Sequence, residues 1–313
     1  MPVNGDFNGL LNRVTQGDAI EVLRQLPSES VDLVLCDPPF GMTDCRWDKT
    51  LSSADLWREL RRIAKPRAAV ALCASGRFTS KLIESPGALP YRHRWFWDRG
   101  RVSNALDANR MPLRQIEAIV VFAQCPTKYH PQKTPCAPRR EHGHNKLSPT
   151  WSGAFKPRRR IVTERFPTDL LCLEHGIAAD RDRIHPTQKP LELGRYMVRT
   201  YSDPGDVVLD FAAGAGTFPV AALEEGRNFV GIELNDDVRT IKADSALTDL
   251  CRATCTEVRR IDQCRAEYRV DLIRFACARA EKAWRELASD KRDHVRRVGW
   301  IAAFEGAASE AQA

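Results

Sequence analysis

Residues 206–233 leave few choices of fold. Asp206-Val207-Val208-Leu209-Asp210 is a β-favouring run, and the small-residue turn Phe211-Ala212-Ala213-Gly214-Ala215-Gly216-Thr217 follows it. A helix-like stretch from Pro219 to Glu225 comes next, then a strand from Asn228 to Ile232 that ends in Glu233. Strand, glycine turn, helix and strand in this order form a β-α-β unit. A second strand signal, Val31-Asp32-Leu33-Val34-Leu35-Cys36, stops at Asp37-Pro38-Pro39, where two prolines forbid both a continuing ladder and a helix interior. Further strands are predicted at residues 68–73, around 94–97 and at 117–122, with helices at 52–63 and 191–200, the latter starting after Pro190. The alternation predicts an α/β fold with a doubly wound, mostly parallel sheet.

The rest of the chain attaches to that frame. Between Lys128 and Arg165 lie ten basic residues against two acidic ones, so this Pro-rich segment carries +8 while the whole chain carries +7. Lys and Arg at that density point to a polyanion, because phosphate contacts release counterions. From Ile232 to Val298 there is neither Gly nor Pro, and Leu247, Cys251, Val258, Ile261, Tyr268, Leu272 and Phe275 recur at roughly helical spacing. That spacing predicts a helical C-terminal extension over 238–313, an arm for packing, dimerisation or clamping. The predicted organisation is a first half over 1–123, a basic insertion over 124–168, a second half over 169–237 and the extension.

No stretch approaches the ~20 apolar residues of a membrane-crossing helix, and the N-terminus has no basic region followed by an apolar run. Ten cysteines without a C-x-x-C pair, in a chain of 313 residues, read as free thiols of a reducing cytoplasm. Cys125, Cys136, His142 and His144 match no common zinc spacing, so no metal is expected.

Two motifs carry chemistry. A strand end followed by Gly-Ala-Gly and a helix lets backbone approach a nucleotide-like ligand, and Glu233 ends the next strand, where an acidic side chain meets ribose hydroxyls. Pro219 stands at the sixth position from Gly214, where a dinucleotide fingerprint needs Gly or Ala, which disfavours NAD. In Asp37-Pro38-Pro39-Phe40, an aspartate oxygen and the Pro38 carbonyl can accept two hydrogens from one amino group, and Phe40 offers a face to a planar base.

Asp37-Pro38-Pro39-Phe40 resembles the catalytic motif of amino-group DNA methyltransferases. His185-Pro186-Thr187-Gln188-Lys189-Pro190 is similar to the motif at the methionine end of the cofactor in that family. Asp210-Phe211-Ala212-Ala213-Gly214-Ala215-Gly216-Thr217 is similar to its S-adenosylmethionine loop. Catalytic motif, basic insertion and cofactor motifs in this order are those of the family's β class. The resemblance covers about residues 12–237 and implies a Rossmann-like methyltransferase fold. It implies that Asp37 and the Pro38 carbonyl hold the target amino group, that Pro39 stiffens the turn and that Phe40 stacks on a flipped base. Cofactor contacts are implied for Asp18, Thr187, Lys189, Asp210, Ala212, Gly214, Gly216, Thr217 and Glu233, although Asp18 reads equally well as a helix N-cap. Ala212 stands where the family usually has Phe, with Phe211 one step earlier.

The resemblance further implies that 124–168 holds the target-recognition region, with Arg139, Arg140, Lys156, Arg158, Arg159 and Arg160 on DNA phosphates. The implied partner is double-stranded DNA, with a homodimer as an option. Aspartate at position 37 tilts the expected target to adenine N6 over cytosine N4. An RNA amino-methyltransferase and a non-catalytic DNA-binding subunit are the alternatives.

Overall fold

The computed structural model describes residues 7, 9–41, 53–141, 160–173, 188–234, 238–243, 255–260 and 266–287. The chain forms two compact units, one of residues 1–130 with 170–313 and the other of residues 131–169.

The larger unit is built on an eight-stranded sheet. Its strands are β1 (Val14–Gln16), β2 (Val31–Cys36), β3 (Ala64–Ala74), β4 (Tyr91–Ser103), β5 (Arg114–Phe122), β8 (Leu170–Cys172), β9 (Val207–Asp210) and β10 (Asn228–Glu233). They lie in the order β1-β10-β9-β2-β3-β5-β4-β8, and β5 alone runs against its neighbours. Side chains alternate between two cores, as a pleated strand requires. Val34, Cys36, Val70 and Leu72 enter one core with α1 (Ala19–Leu23), α2 (Ser53–Ile63) and α3 (Arg77–Ile83). Leu33, Leu35, Ala69 and Ala71 enter the other with α4 (Leu191–Tyr201), α5 (Thr217–Glu224) and α6 (Leu272–Glu286). Helices on both faces complete the doubly wound α/β fold, and the central strands are apolar nearly throughout because both faces are buried.

At the amino ends of the central strands, carboxylates, among them the buried Asp32, are met by lysines. Lys65 Nζ donates to Asp32 Oδ2 at 2.7 Å, and that oxygen also accepts from Val207 N at 3.1 Å, tying β2 to β9. Lys128 Nζ reaches Asp206 at 2.5 Å and Asp203 at 3.0 Å. Lys128 therefore belongs to this structural network, although in sequence it opens the basic segment.

The helical extension expected after residue 238 is replaced by strands over most of its described part. β11 (Val238–Ala243), β12 (Cys255–Arg260) and β13 (Ala266–Asp271) form an antiparallel sheet in the order β11-β13-β12, and helix is confined to α6. The reason is a period of two: Ala266, Tyr268 and Val270 alternate with Glu267, Arg269 and Asp271. Val258 and Tyr268, counted toward helical spacing, sit in β12 and β13. Leu272 and Phe275 sit in α6, while Leu247, Cys251 and Ile261 lie outside the described residues.

In the smaller unit, β6 (Thr134–Glu141) and β7 (Arg160–Arg165) pair antiparallel, setting Arg139 opposite Val162, Arg140 opposite Ile161 and Glu141 opposite Arg160. Arg139 is exposed, and Lys133 pairs with Glu164 at 3.3 Å on the same hairpin.

Candidate active site

The chain leaves β9 through α5 toward β10 and leaves β2 through α2 toward β3, so the topology reverses between β9 and β2. Crevices at the carboxyl ends of strands beside such a reversal are where open α/β sheets bind ligands. Asp37 follows β2 directly, and Asp210 ends β9.

Lys189, immediately before Pro190 at the N-cap of α4, reaches into this crevice. Its Nζ lies 2.7 Å from Asp37 Oδ2 and 2.8 Å from Glu117 Oε1. Burial is the largest single influence on this ammonium and lowers its pKa, but the Asp37 and Glu117 carboxylates together outweigh it and hold Lys189 above the usual lysine range. Cys73 stands beside them, and burial first, then the Asp37 charge, pushes its thiol well up, so it remains neutral. Donor atoms of Asp37, Cys73 and Glu117 converge within 4.8 Å, a spacing that would suit a metal ion. Here the Lys189 ammonium, in contact with both carboxylates, supplies the positive charge.

Sequence reasoning sent Lys189 to the methionine end of the cofactor; the structure also joins it to the catalytic tetrapeptide. It missed Glu117, which opens the apolar run Ala118–Phe122. A carboxylate about to enter a buried strand needs a cation, and that was the available signal. Phe40 is half-buried, with one face stacked on Phe78 at 4.8 Å between centroids and the Lys189 ammonium 5.9 Å from its ring centroid. Pro38 is buried.

On the neighbouring loop, Asp210 is fully buried and accepts from Ala212 N at 3.2 Å. Burial pushes its carboxyl up to about 8, with the Asp37 and Glu233 charges acting in the same direction. Gly214 N donates to Glu233 Oε2 at 2.7 Å, which aims that carboxylate at the glycine turn. Gly214 has φ +51°, and a Cβ there would meet nothing within 4 Å. Gly216 has φ +77° and lies against Ala276 of α6. Thr217 is buried at the start of α5, and Phe211 fills the core while Ala212 packs only partly against it. Asp18 caps α1, its Oδ1 accepting from Ile20 N at 2.9 Å and Glu21 N at 3.2 Å.

Thr187, Lys156, Arg158 and Arg159 lie outside the described residues, as do His142 and His144. Arg279, which no motif flagged, is buried and donates to the Ala215 carbonyl inside the glycine turn.

A protein family described as DNA methylase, the N6/N4 methyltransferases, matches residues 31–243. The chain is 25% identical over 258 residues to the DNA adenine methyltransferase YhdJ of Escherichia coli (strain K12), covering 74% of this chain and 81% of the relative. It is 24% identical over 248 residues to the type II methyltransferase M.HpaI of Haemophilus parainfluenzae, covering 72% and 71%. A solved structure of the cytosine-N4-specific PvuII DNA methyltransferase aligns with a TM-score of 0.47 at 16% identity, over 72% of this chain and 82% of that one.

Proposed function

Because the chain belongs to the DNA methylase family of N6/N4 methyltransferases, we propose that it methylates the exocyclic N6 of adenine in double-stranded DNA, with S-adenosylmethionine as methyl donor. The observation that carries this reading is the meeting of Asp37, Phe40 and Lys189 beside the glycine turn, at the reversal of the sheet. The E. coli relative named as a DNA adenine methyltransferase supports adenine, as does aspartate at position 37.

The turn suits the donor. Open space in front of Gly214 leaves room for a ligand against the backbone, and Glu233 is held at the turn by the Gly214 amide. Gly214, Gly216 and Thr217 would line the cofactor, Glu233 would take its ribose hydroxyls and Asp18 its adenine, with Asp210 and Ala212 shaping the loop. When bound, S-adenosylmethionine supplies a methyl group already activated on a sulfonium.

The remaining task is to make an aromatic amine nucleophilic. Asp37 and the Pro38 carbonyl accept its two hydrogens, which bends the nitrogen toward tetrahedral geometry and frees a lone pair otherwise delocalised into the ring. Lys189 neutralises part of the Asp37 charge and fixes its carboxylate, so Asp37 acts as a positioned acceptor more than as a base. Positioning of this kind is worth up to roughly 7–11 kcal/mol. A base within a duplex is out of reach, so it is extruded at a cost of a few kcal/mol, of which stacking on Phe40 returns roughly 1–3 kcal/mol.

The test is tritiated methyl transfer from S-adenosylmethionine to methylation-free genomic DNA, with Asp37→Ala in parallel and product nucleosides resolved. Methyl-adenine from the parent and none from the variant is the expected outcome. Methyl-cytosine would overturn the base assignment, and label on RNA instead of DNA would overturn the substrate.

A further inference from the structure

β5 runs antiparallel to β3, with Ala118 opposite Ala74 at the carboxyl end of that strand. The residues of β5 before Glu117 therefore lie beyond the edge where Asp37, Glu117 and Lys189 meet, and β4 accompanies them, with Trp97 opposite Glu117 and Ser103 opposite Arg114. From Glu117 to Arg114 the hairpin continues for about 10 Å at roughly 3.3 Å per residue, and β4 covers the same stretch with extra residues that bulge between Asp98 and Ser103.

Its tip is built firmly. Asp98 accepts from Gly100 N at 2.8 Å and from Gln115 Nε2 at 2.9 Å. Arg99 Nη2 donates to the Arg114 carbonyl at 2.7 Å and to Ser103 Oγ at 2.8 Å. Asn104 Oδ1 accepts from Arg114 N at 2.8 Å, and one 3-10 turn (Ala105–Asp107) crosses the end. This ordered tip displays apolar side chains outward: Leu106 is as open as in an extended peptide, at 101% relative exposure, and Val102, Met111, Leu113 and Ile116 are exposed around it. Arg101 and Arg110 are exposed among them and make no ion pair among the described residues.

A fixed protrusion carrying uncovered apolar side chains and unpaired guanidinium groups, at the rim of a site for a flipped base, matches duplex DNA in both respects. Arginines meet phosphates, and apolar wedges enter opened base steps. Extrusion of the target base opens such a step next to the site. Resting on the proposed DNA methylation, we propose that the β4–β5 tip is a DNA-docking element of the larger unit, in which Arg101 and Arg110 contact the backbone and Leu106 wedges into the stack beside the extruded base.

The test compares the full-length parent with Leu106→Asp and with the double variant Arg101→Ala/Arg110→Ala. The readouts are the KM for methylation-free genomic DNA, the salt dependence of binding to fragments of that DNA, S-adenosylmethionine affinity and elution volume. Each variant should raise the DNA KM tenfold or more, and the arginine pair should also reduce the slope of log Kd against log salt by about two. Cofactor affinity and elution should match the parent, which shows the variants folded. Parental DNA KM and salt slope in both variants would overturn the inference while leaving the methyltransferase reading intact. Elution of Leu106→Asp as a smaller species would assign the tip to a second copy of the chain and overturn it as well. A parent that neither binds nor methylates DNA would remove the functional reading and this inference together.

Discussion

Arg279 of α6 donates from Nη1 to the backbone carbonyl of Ala215, 2.9 Å away, between the two glycines of the proposed cofactor turn. The arginine is buried, and the C-terminal helix is thereby built into the wall of the site although it lies outside the motifs. A hydrogen bond from a charged donor is worth roughly 1.5–3 kcal/mol. Arg279→Ala is expected to weaken S-adenosylmethionine binding about 10- to 100-fold while changing kcat far less, as read from separate KM and kcat measurements.

The same helix sets a limit at Gly216. A Cβ there would stand 3.0 Å from Ala276 Cβ and 3.1 Å from its Cα, and the backbone is at φ +77°. Gly216→Ala combines strain with a clash against backbone and should cost about 1–3 kcal/mol. Urea unfolding would measure this directly, and cofactor binding should fall with it. Gly214→Ala meets no neighbour, so its loss of stability comes from backbone strain alone and should be the smaller of the two.

Removing the Lys189 ammonium leaves Asp37 and Glu117 facing each other without their shared cation. Breaking a buried pair in this way costs about 3–5 kcal/mol. Lys189→Met is therefore expected to be strongly destabilised at pH 7, less so at pH 5, and inactive in methyl transfer. Lys189→Met/Glu117→Gln should recover much of the stability, because one stranded carboxylate is gone, while transfer stays abolished.

Asp210 carries a folded-state pKa of about 8 against an ordinary value of 3.8, chiefly through burial. Between those values the folded state holds a proton that the unfolded chain has released. This group's contribution to stability is thus fully present below about pH 4 and declines as pH rises toward 8, by at most about 1.4 kcal/mol per pH unit. Asp210→Asn should flatten that part of the stability profile, measured by urea unfolding from pH 5 to 8. Equal slopes in parent and variant would show that the carboxyl is ionised in the folded protein.

The linear order of residues was enough to establish the β-α-β unit at 206–233, the turn at Asp37-Pro38-Pro39 and their kinship to amino-methyltransferases. Each is a local pattern: periodicity, proline and glycine chemistry, and short motifs depend on neighbours a few positions away. The extension after residue 238 misled for the same reason. Sparse apolar positions satisfy a helical and a two-residue period together, and cross-strand pairing of β11 and β12 with β13 decided between them.

What tertiary structure alone decided is which distant groups meet. Glu117 gains its meaning from Lys189, 72 positions later, and Arg279 gains its meaning from a carbonyl 64 positions earlier. A buried charge is tolerated only beside its complement. The complement is chosen by the register of β5 against β3 and by the packing of α6 on the glycine turn, and neither of these is written in any local stretch of the chain.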